Sequence, residues 1–382
     1  MSALPVEAPR VAQTIAAPRL APLPRDPQDE VERRLDEVLA HSRAAAAAFG
    51  PSYVLLWDEI GRSVRGGKRF RSTLVLRTHE ALGPCHPAAA VTVACAFELL
   101  HTAFLIHDDL IDGDTMRRGA PNLAATMRAD AVQGGAAPGS AHRWSEAAAV
   151  LAGDLALSQA HRLMASVDVE TSRRLALLDL LEETLLVSAG GELADTGFGL
   201  GLASPTLEES LLVAESKTAM YSFRAPLRAG GILAGASPAV LDVLDHQGRL
   251  LGRAFQLVDD LLGVFAPEEE TGKSNLSDLR EGKRTPLILH ARAMPVWEQL
   301  GEHIGRPDLD QPTAARLRRA LARSVAPLLV QNAVRADLDE VTANLAALPP
   351  AVAPVISSVV AQIARALHDV TQHIEGARWQ VA

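Results

Sequence analysis

The chain has 382 residues, a formal net charge of −9, 48% hydrophobic residues and only 4% aromatics. The acidic balance argues against a nucleic-acid binder, which needs a basic stripe to displace counterions. Abundant Ala, Leu and Val with few aromatic or β-branched clusters favours long helices over sheet.

Residues 1–27 are rich in Pro and Ala and lack an apolar signal core, which predicts a disordered tail rather than a targeting segment. From Val31 the pattern turns helical, with Val31, Leu35, Val38 and Leu39 on one stripe. Further helical runs are expected over 70–82, 88–112, 145–165, 171–195, 207–234, 238–264, 284–304, 312–345 and 355–378. Glycine and proline clusters separate them. Residues 130–142 read as a polar, mobile insertion. The uncharged stretch 342–364 is long enough to span a bilayer. However, Pro349, Pro350 and Pro354 make a loop entering a buried helix the better reading, so no transmembrane segment is expected. Cys85 and Cys95 form neither a CxxC pair nor a disulfide framework, which fits small buried hydrophobes in a reducing cytoplasm. No short repeat or central linker interrupts the chain, so one large all-helical domain, 28–382, is expected.

The stretch LIHDDLIDGDTMRRG (105–119) places Asp108, Asp109, Asp112 and Asp114 within seven positions and follows them with Arg117 and Arg118. On a helix, Asp108 and Asp112 share a face. Carboxylates there repel one another and meet the negative end of the helix dipole, so the arrangement calls for a cation. Mg2+ suits it, because that ion prefers a few carboxylates plus substrate phosphates to a full protein cage. A second pair, Asp259 and Asp260 in FQLVDDLLGVF (255–265), also ends an apolar helix. Cations gather in GGKRFR (66–71), at Lys217 in AESKTAMYSF, and at Lys273 and Lys283 in TGKSNLSDLREGKRTP. Arg suits bidentate phosphate contacts and Lys acts as a point charge. Together these features describe a site for two polyanions bridged by Mg2+. His101, seven positions before Asp108 and close to the same face, reads as ligand-facing, whereas His107 reads as structural.

Residues 63–71, 98–121, 217–218, 255–260 and 271–286 together resemble the trans-isoprenyl diphosphate synthases, or polyprenyl synthetases. The resemblance runs in order over about residues 50–290. It implies an all-α bundle around a deep central cavity, a homodimer, and about three Mg2+ ions holding an allylic diphosphate. Asp108, Asp112 and Asp259 would ligate metal, with Asp109 and Asp260 supporting them through water. Arg117, Lys217 and Lys283 would contact the allylic diphosphate, with Lys273 close by. Gly67, Lys68, Arg71, His101 and Arg118 would hold the diphosphate of isopentenyl diphosphate, and Thr218 and Gln256 would line the reacting centre. Two positions depart from the family pattern. Gly263 stands where the second motif usually ends in a third Asp, and Ala219 stands where the lysine motif often has Gly.

Product length depends on residues below the first acidic cluster. Phe104 lies about 6 Å and Phe97 about 16 Å below Asp108 along the helix. The position that commonly carries a limiting aromatic, five residues before the first Asp, is Ala103 here. The short stop is therefore open, while Phe97, Leu99 and Leu100 could close a deeper floor, or the stop could come from another helix. Geranylgeranyl diphosphate is the expected product, with farnesyl or C25 diphosphate as alternatives. A terpene cyclase would carry an Asn/Ser/Glu triad on the second wall and would not need GGKRFR. A non-catalytic partner subunit is the remaining alternative, with Gly263 its one hint.

Overall fold

The computed structural model describes residues 27–83, 85–267 and 277–379. Lys273 and most of the N-terminal stretch expected to be a tail lie outside them. Many of the helices start on a proline, whose fixed φ suits the first turn and whose missing N–H costs nothing there. They are α1 (Pro27–Ala46), α2 (Pro51–Val64), α3 (Phe70–Leu82), α4 (Pro87–Ile111), α5 (Leu123–Gln133), α6 (Pro138–Ala165), α7 (Thr171–Gly199) and α8 (Leu207–Ala214). A π-helical segment, Glu215–Arg224, joins α8 to α9 (Ala225–Ala234), and α10 (Pro238–Phe265) follows. The C-terminal part holds α11 (Ser277–Glu281), α12 (Pro286–Arg292), α13 (Trp297–Leu300), α14 (Gln311–Arg323), α15 (Ala326–Ala343) and α16 (Ala353–Trp379). Among the described residues the one sheet is a two-stranded ribbon, β1 (Met116–Arg117) against β2 (Ala120–Pro121). The fold is all-α, as expected.

Four sequence readings need correction. Residues 51–64 form a helix of their own, started by Pro51 after Gly50 at φ 101°. The expected mobile insertion at 130–142 is mostly helix: α5 runs to Gln133 and α6 starts at Pro138, leaving only a short link through Gly134 and Gly135. The runs 284–304 and 312–345 are each broken, next to Pro295 and Pro327 respectively, because proline has no N–H for the carbonyl four residues back and its ring clashes with it, so the earlier helices end at Arg292 and Arg323.

The hydrophobic core has two lobes. One gathers α1, α2, α4, α6 and α7, and the other α10 and the C-terminal helices. Helix α4 is apolar on nearly all faces and therefore sits at the centre of the first lobe. Among the described residues it is the one helix long and apolar enough to cross a membrane, and 83% of its most apolar window is buried inside the fold. It packs on α6 through small residues, with Ala103, Ala149, Ala152 and Ala156 essentially inaccessible. At the end of this seam His107 lies over Gly153, where a Cβ would come within 2.0 Å of its ring nitrogen. His107 is structural. The C-terminal ends of α4 and α10 both open onto one cavity of about 740 Å3.

Candidate active site

The first wall of the cavity is the end of α4. Asp108 and Asp109 stand on its last turn and Asp112 is its C-cap. The chain then turns through β1 and β2, with Arg118 at φ 53° and Gly119 at φ 74°, two left-handed residues in succession as a tight hairpin requires. This reversal carries Arg117 back over the acidic cluster. Its Nε donates to Asp109 Oδ1 at 2.6 Å and its Nη2 to Asp108 Oδ2 at 3.0 Å. Asp109 is buried under Arg117, whereas Asp108 lines the cavity.

The second wall is the end of α10. Asp259 is exposed to the cavity and Asp260 is buried beside it. Burial pushes the Asp260 carboxyl well above the usual range, against the Gln256 hydrogen bond, and the carboxylates of Asp278, Asp259 and Asp195 push it further. Three polar groups form a chain here. The Thr218 hydroxyl donates to Gln256 Oε1 at 2.6 Å, and Gln256 Nε2 donates to Asp260 Oδ1 at 2.7 Å.

Between the walls stand two lysines. Lys217 lies 3.3 Å from Asp108, 3.0 Å from Glu192 and 2.9 Å from Asp195. Lys283 lies 3.2 Å from Asp112, 3.7 Å from Asp278 and 2.9 Å from Glu281. Burial opposes both charges, yet the surrounding carboxylates outweigh it and hold both ammonium groups above the normal lysine range. Lys217 is presented by the π-helical segment, a form that concentrates at functional sites. Glycines let its neighbours close in. A Cβ on Gly191 of α7 would lie 2.5 Å from the Lys217 backbone nitrogen, and one on Gly252 of α10 would lie 2.2 Å from the Ala219 Cβ. Ala219 is thus accommodated because the residue facing it is glycine.

The cationic end lies beside the first wall. Gly66 and Gly67, at φ 86° and 85°, make the turn that Arg118 docks on. A Cβ on Gly67 would sit 3.0 Å from Arg118 Nη2, whose other terminal nitrogen donates to the Arg65 carbonyl at 2.9 Å. Of GGKRFR, Lys68 and Arg71 face the cavity, while Arg69 turns away to pair with Glu32 and the buried Glu98. The Arg71 guanidinium lies 4.6 Å over the Tyr221 ring and donates to Ser222 Oγ at 2.7 Å. His101 also stacks on Tyr221, with 5.8 Å between ring centroids. Its Nδ1 and Arg71 Nε are buried and have no hydrogen-bond partner among the described residues. Burial, then the charges of Arg71, Arg118 and Arg117, hold the His101 pKa well below its usual value.

The structure therefore brings Lys68, Arg71, His101, Asp108, Arg117, Arg118, Lys217, Thr218, Gln256, Asp259, Asp260 and Lys283 to one cavity, with Gly67 and Asp112 at its edge. The chain-length candidates are placed differently. Phe97, Leu99, Leu100 and Ala103 are fully buried in the core beneath it, and Phe104 turns its ring edge-on to Tyr221, 4.9 Å between centroids. Glu192, Asp195, Tyr221, Phe255, Asp278 and Glu281 were not singled out by the sequence reading, although all but Glu192 line the cavity. The GG pair before Glu192 was the available signal for α7. Among the described residues no three acidic, His or Cys side chains already converge into a metal cage. The donors are hard carboxylate oxygens on facing walls, which fits Mg2+ shared with phosphate oxygens rather than a preformed chelate.

A family model for polyprenyl synthetase matches residues 57–320. The chain belongs to the polyprenyl synthetase family. It is 36% identical over 226 residues to a geranylgeranyl diphosphate synthase of Methanosarcina mazei, covering 59% of this chain and 64% of that one. Identity reaches 39% over 237 residues with a (2E,6E)-farnesyl diphosphate synthase of Mycobacterium tuberculosis, covering 61% and 60%. An octaprenyl diphosphate synthase of Escherichia coli is 36% identical over 236 residues, covering 61% and 65%. The chain thus spans about three fifths of the length of these curated polyprenyl synthetase relatives. Among solved structures, a geranylgeranyl pyrophosphate synthase from Corynebacterium glutamicum, complexed with isoprenyl diphosphate and magnesium, superposes with a TM-score of 0.79. It is 26% identical and covers 91% of this chain and 98% of its own.

Proposed function

We propose that the protein is a Mg2+-dependent trans-prenyltransferase that condenses isopentenyl diphosphate with an allylic diphosphate. The observation that carries this reading is the meeting of two acidic helix ends, Asp108/Asp112 and Asp259/Asp260, across a cavity whose third side is Lys68, Arg71, His101 and Arg118. An acid-only cleft would bind cations, and a base-only cleft one anion. This combination suits two diphosphates, one held through metal and one held directly.

Asp108, Asp112 and Asp259 would hold the metal ions. Bound there, Mg2+ supplies Lewis-acid stabilisation of charge developing on the departing diphosphate. Arg117, Lys217 and Lys283 add fixed positive charge at the same place, and their buried setting strengthens it. Lys68, Arg71 and Arg118 hold the second diphosphate and so place the isopentenyl double bond against the allylic carbon. His101, kept neutral, can offer one ring nitrogen as a hydrogen-bond donor without adding to the repulsion among the arginines. Phe255, Leu262, Val213 and Leu105 give the cavity apolar surface that keeps water from the allylic cation. By the family resemblance proton loss is assigned to the released diphosphate, which agrees with the lack of a nucleophile–base pair among the described residues of the cavity.

Product length is proposed as C20. Ala103 supports a product longer than an aromatic at that position would allow, and Phe104 is engaged by Tyr221 rather than filling the space. The names of the relatives run from farnesyl to octaprenyl synthase, so they do not choose among lengths. A homodimer acting in the cytoplasm is part of the proposal. Trp144 and Leu151 on α6 with Leu186 and Leu193 on α7, 43–76% exposed, offer an apolar face for a second copy.

The test is to incubate purified protein with Mg2+, labelled isopentenyl diphosphate and, separately, C5, C10 and C15 allylic primers, then size the dephosphorylated products. A dominant C20 product is expected. A C15 end point would move the floor up to Phe104 or another helix. No elongation from any primer would favour a partner-dependent subunit instead.

A further inference from the structure

The π-helical segment Glu215–Arg224 carries side chains of both candidate subsites. Lys217 and Thr218 stand near its start, and Tyr221 and Ser222, which engage Arg71, stand near its end. Its winding has a local cause: the Ala225 N–H donates to the Met220 carbonyl five residues back, and Pro226 has no N–H to offer the Ser222 carbonyl. Where the segment sits is decided by α10. Gly248, Gly252 and Gln256 recur at four-residue intervals and so share one face. A Cβ on Gly248 would lie 2.6 Å from the Arg224 Cα, one on Gly252 would meet Ala219, and Gln256 holds Thr218. A second row, Asp245, Arg249 and Arg253, fastens the two ends with opposite charges. Arg249 and Arg253 both donate to Glu215 Oε1, at 3.1 and 2.8 Å. Arg224 donates from Nε and Nη2 to the two oxygens of Asp245, at 3.1 and 3.0 Å.

We propose that these ion pairs position the segment end by end: Glu215 directs Lys217 and Thr218 toward the allylic diphosphate, and Arg224 directs Tyr221 and Ser222, and through them Arg71, toward isopentenyl diphosphate. The inference rests on the prenyl-transfer reading and deepens it, with Glu215 and Arg224 as positioning residues. Polarity makes the fastening specific. An acid at the start meets two bases, a base at the end meets an acid, and a slip of the segment by one residue breaks both. Such a slip turns a helix by about 100°. That is enough to carry the Lys217 ammonium away from Asp108, which lies 3.3 Å from it. Plain stabilisation does not account for the Glu215 contacts. Arg253 is already neutralised by the buried Asp337 of α15, to which its Nε donates at 2.9 Å and its Nη2 donates as well. Glu215, its side chain largely covered, nevertheless takes two guanidinium groups on one oxygen. Desolvation offsets much of what such a pair contributes to stability, while its geometry fixes direction. Arg253 thereby ties α15 to the start of the segment.

The test is steady-state kinetics on the full chain, each diphosphate varied while the other saturates, with melting curves to verify folding. Glu215→Ala leaves Arg253 paired with Asp337, and Arg224→Ala leaves Asp245 beside Arg228 at 3.5 Å, so neither strands a buried charge. Glu215→Ala is expected to lower kcat/KM for the allylic diphosphate about tenfold or more, with KM for isopentenyl diphosphate within about twofold of the parent. Arg224→Ala should do the reverse. Glu215→Gln, whose amide oxygen still accepts from both arginines, should recover most of the Glu215→Ala loss. If Arg224→Ala does not fold, the comparison of Glu215→Ala with Glu215→Gln decides the inference by itself. Variants that impair both substrates equally or neither, a change confined to the melting temperature, or no recovery in Glu215→Gln would overturn the end-by-end positioning and leave prenyl transfer standing. A parent chain that elongates no allylic primer would instead overturn the functional reading and this inference with it.

Discussion

The two acidic walls solve one electrostatic problem in different ways. Three carboxylates at the end of α4 are met by Arg117, returned by the hairpin beside them, and by Lys217 and Lys283 from elsewhere in the fold. The end of α10 is built differently. There Asp260 is buried against Gln256, and Asp278 of α11 adds a carboxylate that itself lies 3.7 Å from Lys283. The first wall is held by cations in direct contact with its carboxylates, and at the second burial pushes the Asp260 carboxyl toward its neutral form.

The largest test of this asymmetry is Asp108→Ala. It should lower turnover by about 10³-fold while leaving the melting temperature within a few degrees, since the residue lies at a cavity rather than in the core. Near-normal activity would break the metal assignment of the first wall. Lys217→Ala is expected to cost about 10²-fold in kcat/KM, and Mg2+ should then raise the melting temperature more than in the parent, because Asp108, Glu192 and Asp195 lose their shared cation. Gly252→Val should cost about 2–3 kcal/mol in chemical denaturation through collision with Ala219, with partial recovery in combination with Ala219→Gly. Ala103→Phe should shorten the product by one prenyl unit, measured by product sizing, and should lower stability by about 1–3 kcal/mol because the ring crowds the α4–α6 seam.

The smallest expected effect concerns the cationic end that both walls face. The folded pKa of His101 lies below its unfolded value of 6.5, so between the two values the unfolded chain binds a proton that the native chain does not. Stability should therefore fall as pH drops below about 6.5, and His101→Gln should flatten part of that slope between about pH 7 and pH 5 in denaturant titrations. His79 and His290, also depressed by burial, add to the slope in the same direction.

Legibility followed locality. The first wall could be read because its carboxylates and arginines lie within one short stretch, and one helix end with a hairpin brings them together. Lys217 could be read as a cation but not its partners Glu192 and Asp195, because α7 reaches it only through the close approach at Gly191. Asp278 was hidden for the same reason. Its carboxylate rests against the bare backbone at Gly263, and sequence patterning registers only what is present. The unbroken helical run read across 207–234 concealed the π-helical segment, whose hydrogen-bond shift leaves no mark on hydrophobic periodicity. The breaks next to Pro295 and Pro327 were available locally and were overridden by the apolar stripes around them.

The chain from Thr218 through Gln256 to Asp260 has one more consequence. Because Gln256 spends its amide hydrogen on Asp260, its oxygen must face Thr218, and the threonine proton is committed to that oxygen. What Thr218 turns toward the cavity is then lone pairs alone. A group bound in the cavity beside Thr218 would meet an acceptor oxygen rather than a donor, its direction fixed by a carboxyl group two residues away along the relay.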